Sequence, residues 1–254
     1  MKVNLIVLIF TTIILSFHFR LNYAYPEYMN IRNDNDDDFE EFNIGKRGYN
    51  VKVSIVIPAY NLEDKIGRCI ESALNQTLKD IEIIVIDDKS TDATKSVIQE
   101  YERMDDRIKA IYSKTNNGAG YSRNLGIEKA EGKFIGFIDG DDYVDPGWFE
   151  HLYNNKKRKD IVHGVRVIHN FSETFTKSEE KPYGCIIPSI IRKRFLMRRN
   201  IRFPTFKENC EDVVFKKRLY RKKPRKAFAP DTGVYYHYDL REGSLSNYTN
   251  PNIN

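Results

Sequence analysis

The sequence predicts an α/β fold, a mostly parallel sheet flanked by helices. Two observations carry this. Between residues 53 and 138, short apolar, β-rich runs alternate with stretches of helical periodicity. Polar clusters at residues 58–61, 87–92 and 139–142 each follow such a run, where an open parallel sheet presents its ligand crevice. With 254 residues, 41% apolar and 13% aromatic, the chain can bury one substantial core and has no room for a large second domain.

Order is expected from residue 51 onward. Val53-Ser54-Ile55-Val56-Ile57 is the first strand, halted by Pro58. Ile66, Cys69, Ile70, Ala73 and Leu74 then recur at helical spacing. Residues 81–86 form a nearly continuous apolar strand, as expected for one buried on both faces, and it stops at Asp87 and Asp88. Ser90, Thr91 and Asp92 supply helix-start chemistry ahead of Val97, Ile98 and Tyr101. Residues 108–112 are a third strand, residues 120–130 a helix, and residues 134–138 a fourth strand that stops at Asp139.

Ahead of this domain, residues 3–17 are apolar apart from Asn4, Thr11, Thr12 and Ser16, with Lys2 before them. They read as a signal anchor or signal peptide over residues 1–24, although a full bilayer span needs about 20 apolar residues. Residues 25–50 are polar and include the acids Asp34, Asp36, Asp37, Asp38, Glu40 and Glu41; they read as a flexible stem, since a calcium loop's ligand spacing is missing. Charge is uneven along the chain. The net +5 hides this acidic stem and a basic excess over residues 192–226, where no nucleic-acid recognition motif accompanies the charge. Cys69, Cys185 and Cys210 lack zinc-site spacing and read as buried thiols; in an oxidising compartment Cys185 and Cys210 are available to pair.

Three clusters carry chemistry. Asp139-Gly140-Asp141-Asp142 concentrates carboxylates after an apolar strand, a cost that a divalent cation offsets. Hard oxygen ligands suit Mg²⁺ or Mn²⁺; the competing reading is a solvated Asp-Gly turn. Asp87 and Asp88 sit at another strand end, and Ser90, Thr91 or Asp92 can cap the following helix in their place, leaving the earlier acids for a ligand. Residues 116–120 form a glycine-containing loop before a helix bearing Arg123, suited to close anion approach. The dinucleotide fingerprint and the lysine-containing phosphate loop are both missing, which disfavours NAD enzymes and P-loop kinases.

Taken in order, these stretches resemble glycosyltransferase family 2, and the likeness runs from residue 53 to residue 246. Residues 53–61 look like its opening strand, residues 72–77 the end of its first helix, and residues 86–92 its nucleotide-binding turn, with Lys89 replacing the common glycine. Residues 119–126 and 139–142 complete the donor half. Glu211-Asp212-Val213-Val214-Phe215 is similar to the family's acidic pair at a helix start, and residues 235–244 to its closing segment.

The resemblance implies a GT-A fold, Rossmann-like, and an inverting hexosyltransferase using a nucleotide-sugar donor, with a UDP-sugar expected. It implies Pro58, Tyr60 and Asp88 at the nucleoside, Arg123 at the diphosphate, and Asp139 as a cofactor-binding acid available to join the metal site. It further implies Mn²⁺ or Mg²⁺ on Asp141 and Asp142, Asp212 as general base, and His237 and Arg241 near the phosphates. The acceptor, whether glycan, lipid or protein, is not readable. Two rivals remain, an inactive sugar-nucleotide-binding module and a nucleotidyltransferase-like enzyme. Sequons at Asn75, Asn170 and Asn247, with the N-terminal run, favour a membrane-tethered domain in the ER or Golgi lumen over one facing the cytosol.

Overall fold

The computed structural model describes residues 50–169, 175–178, 186–205 and 211–239, with the backbone alone at 175–178. The N-terminal hydrophobic run, the stem up to residue 49, Cys185, Cys210, Asn170, Asn247 and Arg241 lie outside the described residues. Among the described residues no helix is long and apolar enough to cross a membrane.

The first half follows the hydrophobic pattern closely. Strands β1 (Val53–Ala59), β2 (Ile81–Asp87), β3 (Ile108–Tyr112) and β4 (Phe134–Phe137) alternate with helices α1 (Ile66–Leu74), α2 (Thr94–Met104) and α3 (Ala119–Lys129). The strands run parallel in the order β4-β1-β2-β3. Every residue of β1 and β2 is buried, as their near-continuous apolar runs require. Helix α1 buries Ile66, Cys69, Ile70 and Ala73, one stripe at helical spacing. Helix α3 lies so close to β1 that a Cβ at Gly126 would stand 2.2 Å from Val56 Cγ1. Glycine is required there by packing.

Pro58 does not halt β1, contrary to the sequence expectation, and it pairs with Ile86. The reason is local. The β4 side of the ladder ends where Ile138 N–H donates to the Val56 carbonyl (3.1 Å), so two residues on, the missing proline N–H has no partner to lose.

At the opposite end of these strands, Glu82 is 3% exposed and pins four segments. Its carboxylate accepts from Ser54 Oγ (2.5 Å), the Glu131 N–H (2.6 Å), the Gly132 N–H (3.3 Å) and Lys109 Nζ (2.7 Å).

The second half is built from shorter pieces: β5 (Tyr143–Val144), α4 (Trp148–Asn154), β6 (Ile161–His163), β7 (Arg166–His169), β8 (Phe175–Ser178), β9 (Ser189–Arg192), α5 (Lys193–Arg198), α6 (Glu211–Arg221), β10 (Lys226–Phe228) and β11 (Tyr236–Asp239). Strands β9, β6 and β10 extend the main sheet beyond β4, with β9 antiparallel to both β4 and β6. A second sheet has the order β5-β11-β7-β8. Its strands span two to four residues, too short for an alternation pattern to register. Gln76 ties this half to α1, donating to the Ser72 and Asp145 carbonyls and accepting from the Phe149 N–H. The motif at residues 75–77 thus has a structural use independent of any glycan at Asn75.

Candidate active site

The carboxyl ends of β1, β2 and β4 converge, and their loops are stitched to one another. Beyond β1, Asn61 has φ 51°, its N–H donates to Ser90 Oγ (3.0 Å), and its Oδ1 accepts from the Thr91 N–H (2.9 Å). Beyond β2, Lys89 has φ 64°, the left-handed region that the family's common glycine occupies without strain. Asp87 caps the same turn by accepting from the Ser90 N–H (3.1 Å). Pro58 lies buried within β1, whereas Tyr60 is 47% exposed at its tip, leaving the ring face available for stacking.

Asp88 is 3% exposed. Its carboxylate accepts from the Asn117 N–H (3.0 Å) and the Gly118 N–H (2.6 Å), holding the glycine-containing loop that leads into α3. Asp88 therefore shapes the loop expected to approach the nucleotide.

Arg123, expected at the diphosphate, is only 4% exposed. Its Nη2 donates to Asp139 Oδ1 (2.6 Å) and its Nη1 to Glu211 Oε1 (2.7 Å), with Phe203 under the guanidinium at 5.3 Å. Burial opposes its charge, yet Asp139 and Glu211 raise its pKa further above the usual arginine value. Arg123 thus braces the end of β4 against the start of α6, and both terminal nitrogens are committed. A Cβ at Gly120 would stand 2.2 Å from the Pro204 carbonyl and 3.5 Å from Glu211 Cγ, so this seam closes only around glycine. Asp212 follows Glu211 and is half-buried, its Oδ1 accepting from the Val213 N–H (2.7 Å).

The Asp139-Gly140-Asp141-Asp142 turn separates its three acids. Asp139 retains 26% side-chain exposure beside Arg123, and Asp141 is half-buried. Asp142, an expected metal ligand, is 1% exposed and faces inward. Its Oδ2 accepts from the Tyr236 hydroxyl (2.7 Å) and its Oδ1 from the Asp239 N–H (3.1 Å). Burial, with the charges of Asp139 and Asp141, pushes the Asp142 carboxyl well above the usual range. The Tyr236 oxygen also accepts from the Asp139 N–H (3.0 Å), so one phenol joins β11 to both ends of the turn.

His237, expected near the phosphates, is held within the fold. Its Nε2 meets Asp145 Oδ1 (2.9 Å), its Nδ1 meets His169 Nε2 (2.9 Å), and its ring stacks on Tyr143 with centroids 4.4 Å apart. Arg68 lies on the other partner of that stack, 4.4 Å from the Tyr143 ring, pairs with Asp239, and donates to the Asp141 carbonyl (3.1 Å). Sequence reasoning missed Arg68, Tyr236 and Asp239. The continuous aromatic run at residues 235–238 was the available signal for a strand, but no local pattern identifies its partners.

This arrangement, a parallel sheet whose strand ends carry acids beside an acid-led helix, is one a glycosyltransferase can use, and the family comparison supplies the class. The chain belongs to glycosyl transferase family 2, whose family model matches residues 54–228. It is similar to the putative glycosyltransferase EpsH of Bacillus subtilis strain 168, 46% identical over 100 residues, 39% of this chain and 29% of that protein. It is also similar to the poly(ribitol-phosphate) beta-glucosyltransferase of Bacillus spizizenii, 34% identical over 203 residues, covering 73% of this chain and 32% of the relative. The chain thus spans about a third of these relatives. Among solved structures, Staphylococcus aureus TarS residues 1–349 in complex with UDP-GlcNAc superposes with a TM-score of 0.68 at 24% identity, over 78% of this chain and 61% of that one. That likeness fixes the fold as GT-A-like.

Proposed function

We propose that this enzyme transfers a hexose from a UDP-sugar to a glycan hydroxyl with inversion at the anomeric carbon. The observation that carries it is the Asp139–Arg123–Glu211 bridge, which holds a strand-end acid beside the start of α6, the turn that carries Asp212. In support, TarS is known with UDP-GlcNAc, and the Bacillus spizizenii relative is a glucosyltransferase by name.

In this reading Tyr60 stacks on the base, and Asp88 orders residues 117–118 against the nucleotide. Asp212 accepts the proton of the attacking hydroxyl, the general-base role. Arg123 is a positioning residue, setting the separation between Asp139 and the start of α6. Asp141 and the second oxygen of Asp139, which accepts no hydrogen bond among the described residues, suit Mn²⁺ or Mg²⁺. Asp142 does not, because both its oxygens are engaged within the fold. Such an ion, when bound, supplies charge neutralisation for a departing diphosphate.

Incubation with a panel of UDP-sugars and Mn²⁺ or Mg²⁺, scored by the product released, tests this. UDP release that depends on an added glycan is expected. Pyrophosphate release would instead establish nucleotidyl transfer, and donor binding without release of either product would establish a binding module.

A further inference from the structure

Two exposed side chains stand abreast at the ends of β1 and β2. The Asp88 N–H donates to the Ala59 carbonyl (2.8 Å) and the Asn61 N–H to Ser90 Oγ (3.0 Å), so both chain neighbours of Lys89 are bonded to both chain neighbours of Tyr60. Lys89 and Tyr60 therefore sit side by side, each open to solvent. The acids of the Asp139–Asp142 turn lie on the other side of β1. That strand runs between β2 and β4, which sets the two outer strand ends about 10 Å apart.

The turn does not need the lysine. Asp87 accepts from the Ser90 N–H, Asp88 from the Asn117 and Gly118 N–H groups, and Asp92 from the Glu63 (3.2 Å) and Thr94 (3.0 Å) N–H groups. Ser90 accepts from Asn61, and the Thr91 hydroxyl donates to Asn61 Oδ1 (3.3 Å). Within residues 87–92, Lys89 is the one whose side chain makes no hydrogen bond, ion pair or ring contact among the described residues. It nevertheless holds φ 64°, a strain that glycine avoids. A strained residue whose side chain gives the fold nothing in return points to a task outside the fold. Asp88, expected to read the base, has both oxygens committed to the loop at residues 117–118, which leaves that task to its neighbour. An ammonium offers donors and no acceptor, and the base edge that distinguishes uracil from cytosine carries a carbonyl in the first and an amine in the second.

We propose that Lys89 is a specificity-determining residue for the donor nucleotide: its ammonium donates to a carbonyl of a uracil stacked on Tyr60 and disfavours the amine of cytosine. This deepens the UDP-sugar reading and rests on it. A diphosphate contact is the competing use of the cation, and the place of Lys89 beside Tyr60, across β1 from Asp139, favours the base.

The test is calorimetry with UDP, CDP and UMP, Mn²⁺ present throughout. Wild type binds UDP about tenfold or more tightly than CDP, the scale of one hydrogen bond from a charged donor. Two variants separate the ammonium from the backbone: Lys89→Gly removes the strain and the charge together, and Lys89→Met removes the charge alone. In both, the preference for UDP falls to within about threefold, and UDP and UMP lose affinity by the same factor. UDP and CDP carry the same diphosphate, so their ratio reports the base and is unmoved by a general loss of positive charge. Thermal unfolding of each variant confirms that the domain is intact. Equal binding of UDP and CDP by wild type, or an unchanged ratio in either variant, overturns the proposal. So does a loss for UDP that UMP does not share, which would assign Lys89 to the diphosphate. Glycan-dependent UDP release alongside any of these results leaves the transferase reading standing; a wild type that binds none of the three nucleotides removes that reading as well.

Discussion

The half of the domain up to Asp142 and the half beyond it are held together differently. In the first, β1 and β2 are buried along their whole length, and the sheet is fixed by apolar packing and by the Glu82 pin. In the second, Ile161, Val162, Ile190 and Ile191 join the same apolar core, but the two- to four-residue strands of the small sheet are tied by polar and ring contacts such as Tyr236 to Asp142, His237 to Asp145 and Tyr143 stacked on His237. The candidate acids Asp139 and Glu211 lie where these regimes meet, bridged by Arg123. A fold can therefore tolerate a costly cluster of acids if a rigid sheet presents it on one side and a hydrogen-bonded network neutralises it on the other.

The largest effect should come from the second half. Asp212→Asn removes the proton acceptor without touching the sheet, and turnover should fall by roughly 10²–10⁴-fold, the usual range for general-base assistance. UDP affinity, read by calorimetry, should stay within about twofold because the nucleotide side belongs to the first half. Near-normal turnover in Asp212→Asn would move the base elsewhere and dissolve the division of labour between the halves.

The same contrast explains what was legible in the sequence. β1, β2 and α1 could be placed because burial on both faces, or along one helical stripe, leaves a periodic trace in a few consecutive residues. Asp139, Asp88 and Asp212 were locatable as acids at element ends. Their partners were not: Arg123 meets Asp139 across 16 residues and Glu211 across 88, and Tyr236 meets Asp142 across 94. Separations of that size are invisible to a local pattern. Asp142 looked equivalent to Asp141 in sequence, and only the placement of Tyr236 and Asp239 distinguishes them.

A smaller effect is expected at the far end of the first half. Glu82→Gln should cost about 1–3 kcal/mol at pH 7, the range for disturbing a buried hydrogen-bonded group. Most of that comes from the buried donors, since Lys109 is 44% exposed and its share is screened. Burial raises the Glu82 pKa, but hydrogen bonds from Lys109, Ser54 and Glu131 outweigh it, and the net shift is downward. A depressed carboxyl gives stability that is full above its unfolded value of about 4.3 and is lost as pH falls through the folded value. Urea unfolding should therefore show the gap between wild type and Glu82→Gln narrowing below about pH 4.3. A gap that widens on acidification would mean the pin works as a neutral acid.

The smallest effect concerns two residues that share a backbone conformation and should respond with opposite sign. Lys89 and Asn61 both have positive φ, 64° and 51°, in the loops that follow β2 and β1. The left-handed region costs an ordinary residue roughly 1–2 kcal/mol, which Gly avoids while losing about 0.5–1 kcal/mol through its freer unfolded chain. Lys89→Gly should thus stabilise by about 0.5–1 kcal/mol, raising Tm by roughly 1–4 °C for a domain of this size. Asn tolerates this region better than Lys, and the Asn61 side chain also accepts from the Thr91 N–H, so Asn61→Gly removes a hydrogen bond that the strain relief does not replace. Its Tm should fall. Thermal unfolding of both variants without ligand reads the pair directly. If Lys89→Gly lowers Tm as Asn61→Gly does, the Lys89 side chain contributes contacts that outweigh its backbone strain.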